Sequence, residues 1–362
     1  MCFGDEEGVT YALCRWLRAR KFNLTETFIL IDEATKERAE ALKHDFYPDE
    51  DAALRAPVTT YSELYPQFYH GHAKNGCPLF ISQPGKINYH AIESVTTLDG
   101  IINFHWNAMH HDFRKRLVDR KKEMGDDFKK FACVCVLDLD GLSASSVNRH
   151  VMNIIKSLSK IDNLCYVETL SKMIIVNAPV FFTAIFKVIK GFLDARTQKK
   201  IEIFSSAKKA SSRLRELIDE EHIPSDYGGT AKSINEILLH QNSGDAGIIR
   251  QDVELVHLRT TESLGPYEVA SGEQLAVTIH SKSTGGANFS ITDSNKDIMY
   301  NESVTHNSEH QIGTDAFDLE YPTSLELTTK PLGPGTYMVN IKSKTSRLHS
   351  DYHVVCVRIL SK

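Results

Sequence analysis

Apolar positions recur along this chain in two rhythms, and the rhythm changes near Gln241. From Val9 to Leu42 they keep helical spacing, interrupted at Lys21-Phe22-Asn23. A second helix is expected from Leu24, with Thr25 as its cap and Phe28, Ile31 and Ala34 on its inner face. Asp45–Pro57 is polar and reads as a connection. From Pro78 onward, expected strands at Leu79–Ser82, Phe131–Asp138, Met173–Val176 and Ile201–Phe204 alternate with expected helices. The helices cover most of Ala91–Met124, with Trp106, Met109, Phe113 and Leu117 on one face, then Val147–Leu158 and Ser211–Glu221. Strands apolar on both faces, separated by helices, predict an α/β domain with a largely parallel sheet. After a linker-like Asn242-Ser243-Gly244-Asp245 the period becomes two: Leu275, Val277, Ile279; Phe289, Ile291; Leu325, Leu327; Tyr337, Val339, Ile341; Val355, Val357, Ile359. Thr284-Gly285-Gly286 and Gly333-Pro334-Gly335 punctuate these runs, and the pattern predicts an antiparallel β-sandwich.

The segment between the third and fourth strands is unusually apolar. Phe182, Ile185, Phe186, Ile189, Phe192 and Leu193 recur at helical spacing, Phe181 and Val188 widen the stripe, and only Lys187 and Lys190 interrupt it. Two readings are open. The helix is either an ordinary crossover packed on the sheet, or something sharper: a lid over an apolar cavity, or a face that meets a membrane.

Composition narrows the class. A chain that is 41% hydrophobic and 25% charged, with a net charge of −5, is ordinary globular material and a poor bulk nucleic-acid binder. No apolar run is long enough to span a bilayer, and the acidic start MCFGDEEGVTY lacks the features of a signal peptide. The 7 cysteines are scattered and form no C-x-x-C pair, which fits a cytoplasmic chain. The sequons at Asn23, Asn288 and Asn301 then read as chance matches.

Three constellations touch on catalysis. Asp138-Leu139-Asp140-Gly141 at the end of a strand resembles the D-x-D-G nucleophile motif of magnesium-dependent phosphatases. Leu142 stands where Thr or Val is usual, and no paired acidic motif follows. His70, His72, His105, His110 and His111 have no partners at metal-ligand spacing. Cys133 and Cys135 share one face of a strand and read as structural thiols. No catalytic residue, metal or cofactor is expected. The basic runs Arg114–Lys122 and Lys208–Arg215 read as solvated faces that can also rest on anionic lipid.

Several landmarks agree on one resemblance. Leu17-Arg18-Ala19-Arg20-Lys21-Phe22, Tyr65-Pro66-Gln67-Phe68-Tyr69-His70, Asn177-Ala178-Pro179, Phe192-Leu193-Asp194 and Pro224-Ser225-Asp226-Tyr227-Gly228-Gly229-Thr230 resemble, in order, those of Sec14-like (CRAL-TRIO) lipid-binding proteins. The later part is similar to a GOLD domain, a pairing found in the supernatant protein factor group. The resemblance implies an N-terminal helical segment at 1–55, a CRAL-TRIO domain at 56–241 and an all-β GOLD-type sandwich at 246–362. It implies a lipid-transfer protein that is cytoplasmic and only transiently at membranes, with a possible protein partner for the sandwich and no nucleic acid. It makes Phe182, Ile185, Phe186, Ile189, Phe192 and Leu193 a gating helix. Relatives that hold phosphatidylinositol use residues that fall here on Arg20, Lys21, Glu168 and Lys200. At the phosphatidylcholine site Tyr69 matches, but Phe80, Cys133 and Cys135 replace hydroxyl donors, which leaves room for a different hydrophobic second ligand. A phosphatase, or an adaptor with a vestigial cavity, is the alternative.

Overall fold

Asn23 sets the first corner of the chain. Its side-chain oxygen accepts the Glu26 backbone N–H at 3.1 Å, so Asn23, and not Thr25, caps the second helix. Lys21 and Phe22 before it both take a left-handed backbone, with φ of 52° and 63°, which ends the first helix and reverses the chain. The buried stripe of the second helix is Thr27, Leu30, Ala34 and Ala41. Phe28, expected inside, lies about 100° round from Thr27 and is 69% exposed.

The computed structural model describes residues 7–128, 130–243, 247–258, 261–282, 287–304, 325–344 and 351–361. The expected turn at Thr284-Gly285-Gly286 and the Gly244-Asp245 part of the linker fall outside these. In chain order the helices are α1 (Val9–Ala19), α2 (Leu24–Lys43), α3 (Glu50–Leu54), α4 (Val58–Leu64), α5 (Tyr89–Val95), α6 (Leu98–Asn107), α7 (Arg114–Met124), α8 (Arg149–Cys165), α9 (Phe182–Ile189), α10 (Ala195–Lys199), α11 (Ala207–Leu217) and α12 (Ile234–Ser243). A π-helical turn at Ala108–Phe113 joins α6 to α7, and Trp106, Phe113 and Leu117 are buried along that helical run. The chain divides into two compact units: Met1–Leu54, Tyr65–Ile87 and Gly100–Ile234 form one, and Arg55–Leu64, Asn88–Asp99 and Asn235–Lys362 the other.

The first unit is built on a five-stranded sheet in the order β1 (Gln67–His72), β2 (Pro78–Ser82), β3 (Cys133–Asp138), β4 (Leu170–Val176), β5 (Ile201–Ile203). Strands β2 to β5 are parallel, as the apolar runs predict, and β1 is an antiparallel edge. The edge strand carries little periodic signal because its register shifts between Tyr69 and His72, where Gly71 adopts φ 61°.

The sheet has two unlike faces. Leu79, Ile81, Val134, Val136, Ile174 and Val176 share one, and none of them is more than 1% exposed. Helix α11 packs on this face at β4, and its Arg213 reaches Glu202 on β5 at 2.9 Å. Tyr69, Phe80, Cys133, Cys135, Leu137, Met173, Ile175 and Ile201 share the other. There Phe80, Cys133, Leu137 and Met173 stay half-buried, although they sit on inner strands.

The second unit contains two antiparallel sheets, β10-β9-β12-β7 and β11-β8-β13-β6. Its strands are β6 (Ile248–Leu258), β7 (Thr261–Val269), β8 (Glu273–Lys282), β9 (Ala287–Asp293), β10 (Ile298–Val304), β11 (Leu325–Thr328), β12 (Gly335–Ser343) and β13 (Asp351–Ser361). The period-two residues Leu275, Val277, Ile279, Phe289, Ile291, Tyr337, Val339, Ile341, Val355, Val357 and Ile359 form one buried core. The opposite face of the β8–β13 pair is buried as well: Thr278, His280, Val354 and Cys356 are at most 2% exposed. It is covered by α5, while α4 lies against β6. Arg358 locks this layer in place, donating to Thr59 Oγ1 and Thr60 Oγ1, each at 2.9 Å. Two short segments of the earlier sequence therefore complete the β-rich unit.

Candidate functional site

Helix α9 packs on the half-open face of the first sheet. Phe182 and Phe186, one helical turn apart, are its buried anchors, joined with Leu139 and Ile175 and flanked by Leu137, Met173, Ile185, Ile189 and Ile201. The regular helix stops at Ile189. Phe192 lies in the following 3-10 turn and Leu193 just beyond it, both half-buried. On the outer side Val180 is 94% and Val188 55% exposed, beside the exposed Lys187 and Lys190. The helix thus offers apolar surface in two directions, which an ordinary crossover helix does not.

Beyond α9 the same face runs into a second apolar cluster, in which Tyr69 lies with Trp106, Phe113 and Leu117 and against which Phe80 and Cys133 pack. The Cys133 and Cys135 thiols lie 3.4 Å apart, and this contact together with burial pushes the Cys133 thiol well above its usual pKa. Both are free cysteines. Tyr69 packs against the Phe80 ring at 5.0 Å, with the Arg116 guanidinium 4.8 Å from its ring centroid. Burial raises the Tyr69 phenol well above its ordinary pKa, so the ring stays neutral.

Charge collects where α10 leads into β5. The Glu168 carboxylate accepts from Lys200 Nζ at 3.1 Å and from Arg196 at 3.2 Å. Arg196 also donates to the Arg18 carbonyl, and Arg15 donates to the Val167 carbonyl while pairing with Glu7 at 2.5 Å. Two arginines therefore fasten α1 to the corner that carries Glu168. Glu168 itself sits at φ 58°, a conformation a glutamate rarely takes unless its surroundings impose it. Of the residues expected from the sequence, Glu168 and Lys200 are in contact. Arg20 and Lys21 lie just past the tie between Arg18 and Arg196, and no contact from either to Glu168 is found among the described residues. Arg196 is the residue that sequence reasoning missed. Its only local signal is its place after Asp194, whose carboxylate caps α10 through the Arg196 and Thr197 backbone N–H groups at 2.8 and 3.1 Å.

The D-x-D-G segment has a different occupation. Asp138 is 4% exposed, and both carboxylate oxygens are engaged. Asn177 Nδ2 at 2.8 Å and the Asp140 backbone N–H at 2.9 Å donate to Oδ1; Tyr227 Oη at 3.0 Å and Gln83 Nε2 at 3.3 Å donate to Oδ2. Such a carboxylate ties strand ends and loops together, and it presents no free oxygen to a phosphate. Among the described residues no three His, Cys, Asp or Glu side chains gather as a metal site, and no helix is long and apolar enough to cross a membrane.

The sequence has known relatives. The CRAL/TRIO domain profile matches residues 62–229. The Sec14 cytosolic factor of Schizosaccharomyces pombe is 32% identical over 224 residues, which are 61% of this chain and 74% of that protein. The phosphatidylinositol/phosphatidylcholine transfer protein SFH9 of Arabidopsis thaliana is 29% identical over 234 residues, which are 62% of this chain; the chain spans only 38% of that protein's length. Among solved structures, Sfh5 aligns with 62% of this chain and 73% of its own at a TM-score of 0.46 and 16% identity.

Proposed function

Because the chain belongs to the CRAL/TRIO (Sec14-like) family, we propose that it binds one lipid and carries it between membranes. Phosphatidylinositol, or another hydrophobic molecule, is held between the sheet and α9. The observation that carries this reading is the contrast between the faces of the sheet. The apolar inner-strand residues on one face are sealed, while on the other Leu137 and Met173 stay half-buried against an apolar helix, and Phe80 and Cys133 stay half-buried further along the same face. At about 0.8 kcal/mol per methylene, two long acyl chains cost on the order of 20 kcal/mol to place in water, and such a floor offsets most of that.

In this reading Glu168 and Lys200, with Arg20 and Lys21 nearby, receive the inositol phosphate: the cations take the phosphate and the carboxylate takes hydroxyls. Tyr69, Phe80, Cys133 and Cys135 floor the site for a second, less polar ligand. Phe182, Ile185, Phe186, Ile189, Phe192 and Leu193 form the gate. Opening it brings Lys187 and Lys190 to anionic headgroups. The chemistry is binding without bond making or breaking, and the fully engaged Asp138 supports that. The protein works in the cytoplasm and meets membranes transiently. The sequence domains 56–241 and 246–362 are a lipid carrier and a GOLD-type docking module. The test is transfer of phosphatidylinositol between vesicles. Lys200→Ala is expected to lower phosphatidylinositol transfer about tenfold while leaving transfer of a neutral lipid near wild type. Equal loss of both would make Lys200 a structural residue.

A further inference from the structure

The turn between α1 and α2 exposes a cluster that folding leaves unspent. Phe22 is 64%, Leu24 63% and Phe28 69% exposed. Leu24 and Phe28 are four residues apart, so they share one stripe of α2, and Phe22 joins them from the turn. The stripe is apolar for two turns only. Its next member is Asp32, paired with Lys36 at 2.6 Å, so the patch ends in an ordinary solvated face. At the turn its rim is cationic. Arg18 and Lys21 are exposed and Arg20 half-buried, and the acid in the first turn of α2 is Glu26. Lys21 makes no ion pair among the described residues.

We infer that this turn is a second membrane-docking element, separate from α9, whose partner is an anionic phospholipid surface. Aromatic and aliphatic side chains bordered by cations match the interface of a bilayer, where rings enter the acyl boundary and cations stay among headgroup phosphates. Its position supplies the purpose. Arg196 joins the Arg18 carbonyl to Glu168, so docking by this turn holds the headgroup end of the proposed lipid site against the membrane. The inference rests on the lipid-carrier reading for that purpose, though not for the docking itself.

The test uses the full chain and phosphatidylcholine vesicles with and without phosphatidylserine, read by co-sedimentation. Phe22→Ser combined with Leu24→Ser is expected to weaken binding to serine-containing vesicles about tenfold. The thermal midpoint should not move, because neither side chain is buried. Arg18→Glu, at the same rim but outside the proposed headgroup site, should remove much of the serine-dependent part, as added salt does. Wild-type vesicle binding by the double variant would overturn the inference. So would a change in its self-association, seen by sedimentation, without a change in vesicle binding, since the patch would then face a second copy of the chain. Loading of phosphatidylinositol from mixed micelles, followed by native mass spectrometry, reads the carrier function separately. A chain that docks through Phe22 and Leu24 yet never loads lipid would sink the carrier reading and leave the docking surface standing.

Discussion

The two faces of the five-stranded sheet are made of similar residues put to different uses. Val134, Val136, Ile174 and Val176 are packed to completion under α11 and neighbouring segments. Cys133, Leu137 and Met173 alternate with them along the same strands and remain half-buried. An inner strand is shielded on both sides by its neighbours, so exposure there arises only from the face. The first face spends its apolar surface on stability; the second leaves part of it uncovered, and the proposed lipid would cover it.

The largest consequence is an asymmetry in truncation. Ile174→Ala should cost about 2–5 kcal/mol in denaturant unfolding, whereas its neighbour Met173→Ala should cost under about 2 kcal/mol. Equal costs would erase the distinction between the faces. Next is Asp138→Asn, which turns one acceptor oxygen into a donor facing the donors it now receives. A loss of about 1–3 kcal/mol is expected, with no accompanying loss of any phosphate-ester turnover. A stable variant that loses such turnover would instead restore the phosphatase reading.

The smallest effect concerns the sealed side. Hydrogen bonds from Arg213 and Lys172 hold the Glu202 carboxyl down to about 2. A depressed carboxyl stabilises the fold above its unfolded pKa, near 4.5, and loses that contribution as pH falls toward 2. Glu202→Gln should therefore cost below about 1 kcal/mol at neutral pH, because the group is only partly buried. It should also flatten the acid limb of stability between those two pH values. An unchanged acid limb would show that the network does not discriminate folded from unfolded chain.

Much of this was legible in periodicity. The apolar runs at Phe131–Asp138 and Met173–Val176 became parallel inner strands, and the alternating residues Leu275 to Ile291 and Tyr337 to Ile359 became one sandwich core, the side chains of Leu325 and Leu327 lying outside what the structure describes. The excess of phenylalanine and isoleucine in α9 pointed to a helix with apolar surface on two sides. What periodicity concealed depends on contacts distant in sequence. The strand Gln67–His72 is an edge with a bulge, so its pattern is broken. Thr278, His280 and Cys356 look like solvent-facing strand residues until α5 is seen to cover them. Arg196 gains its role only because α10 lies beside the end of α1, which no local pattern encodes.

The most direct test of the central claim fills the half-open face from within. In Met173→Trp the added ring should fit against the accessible floor, keeping the thermal midpoint near wild type. Phosphatidylinositol occupancy, read by native mass spectrometry after equilibration with lipid, should fall at least about tenfold. A variant destabilised by about 1–3 kcal/mol, as overpacking a filled core would cause, or one that holds lipid as well as wild type, would contradict the account.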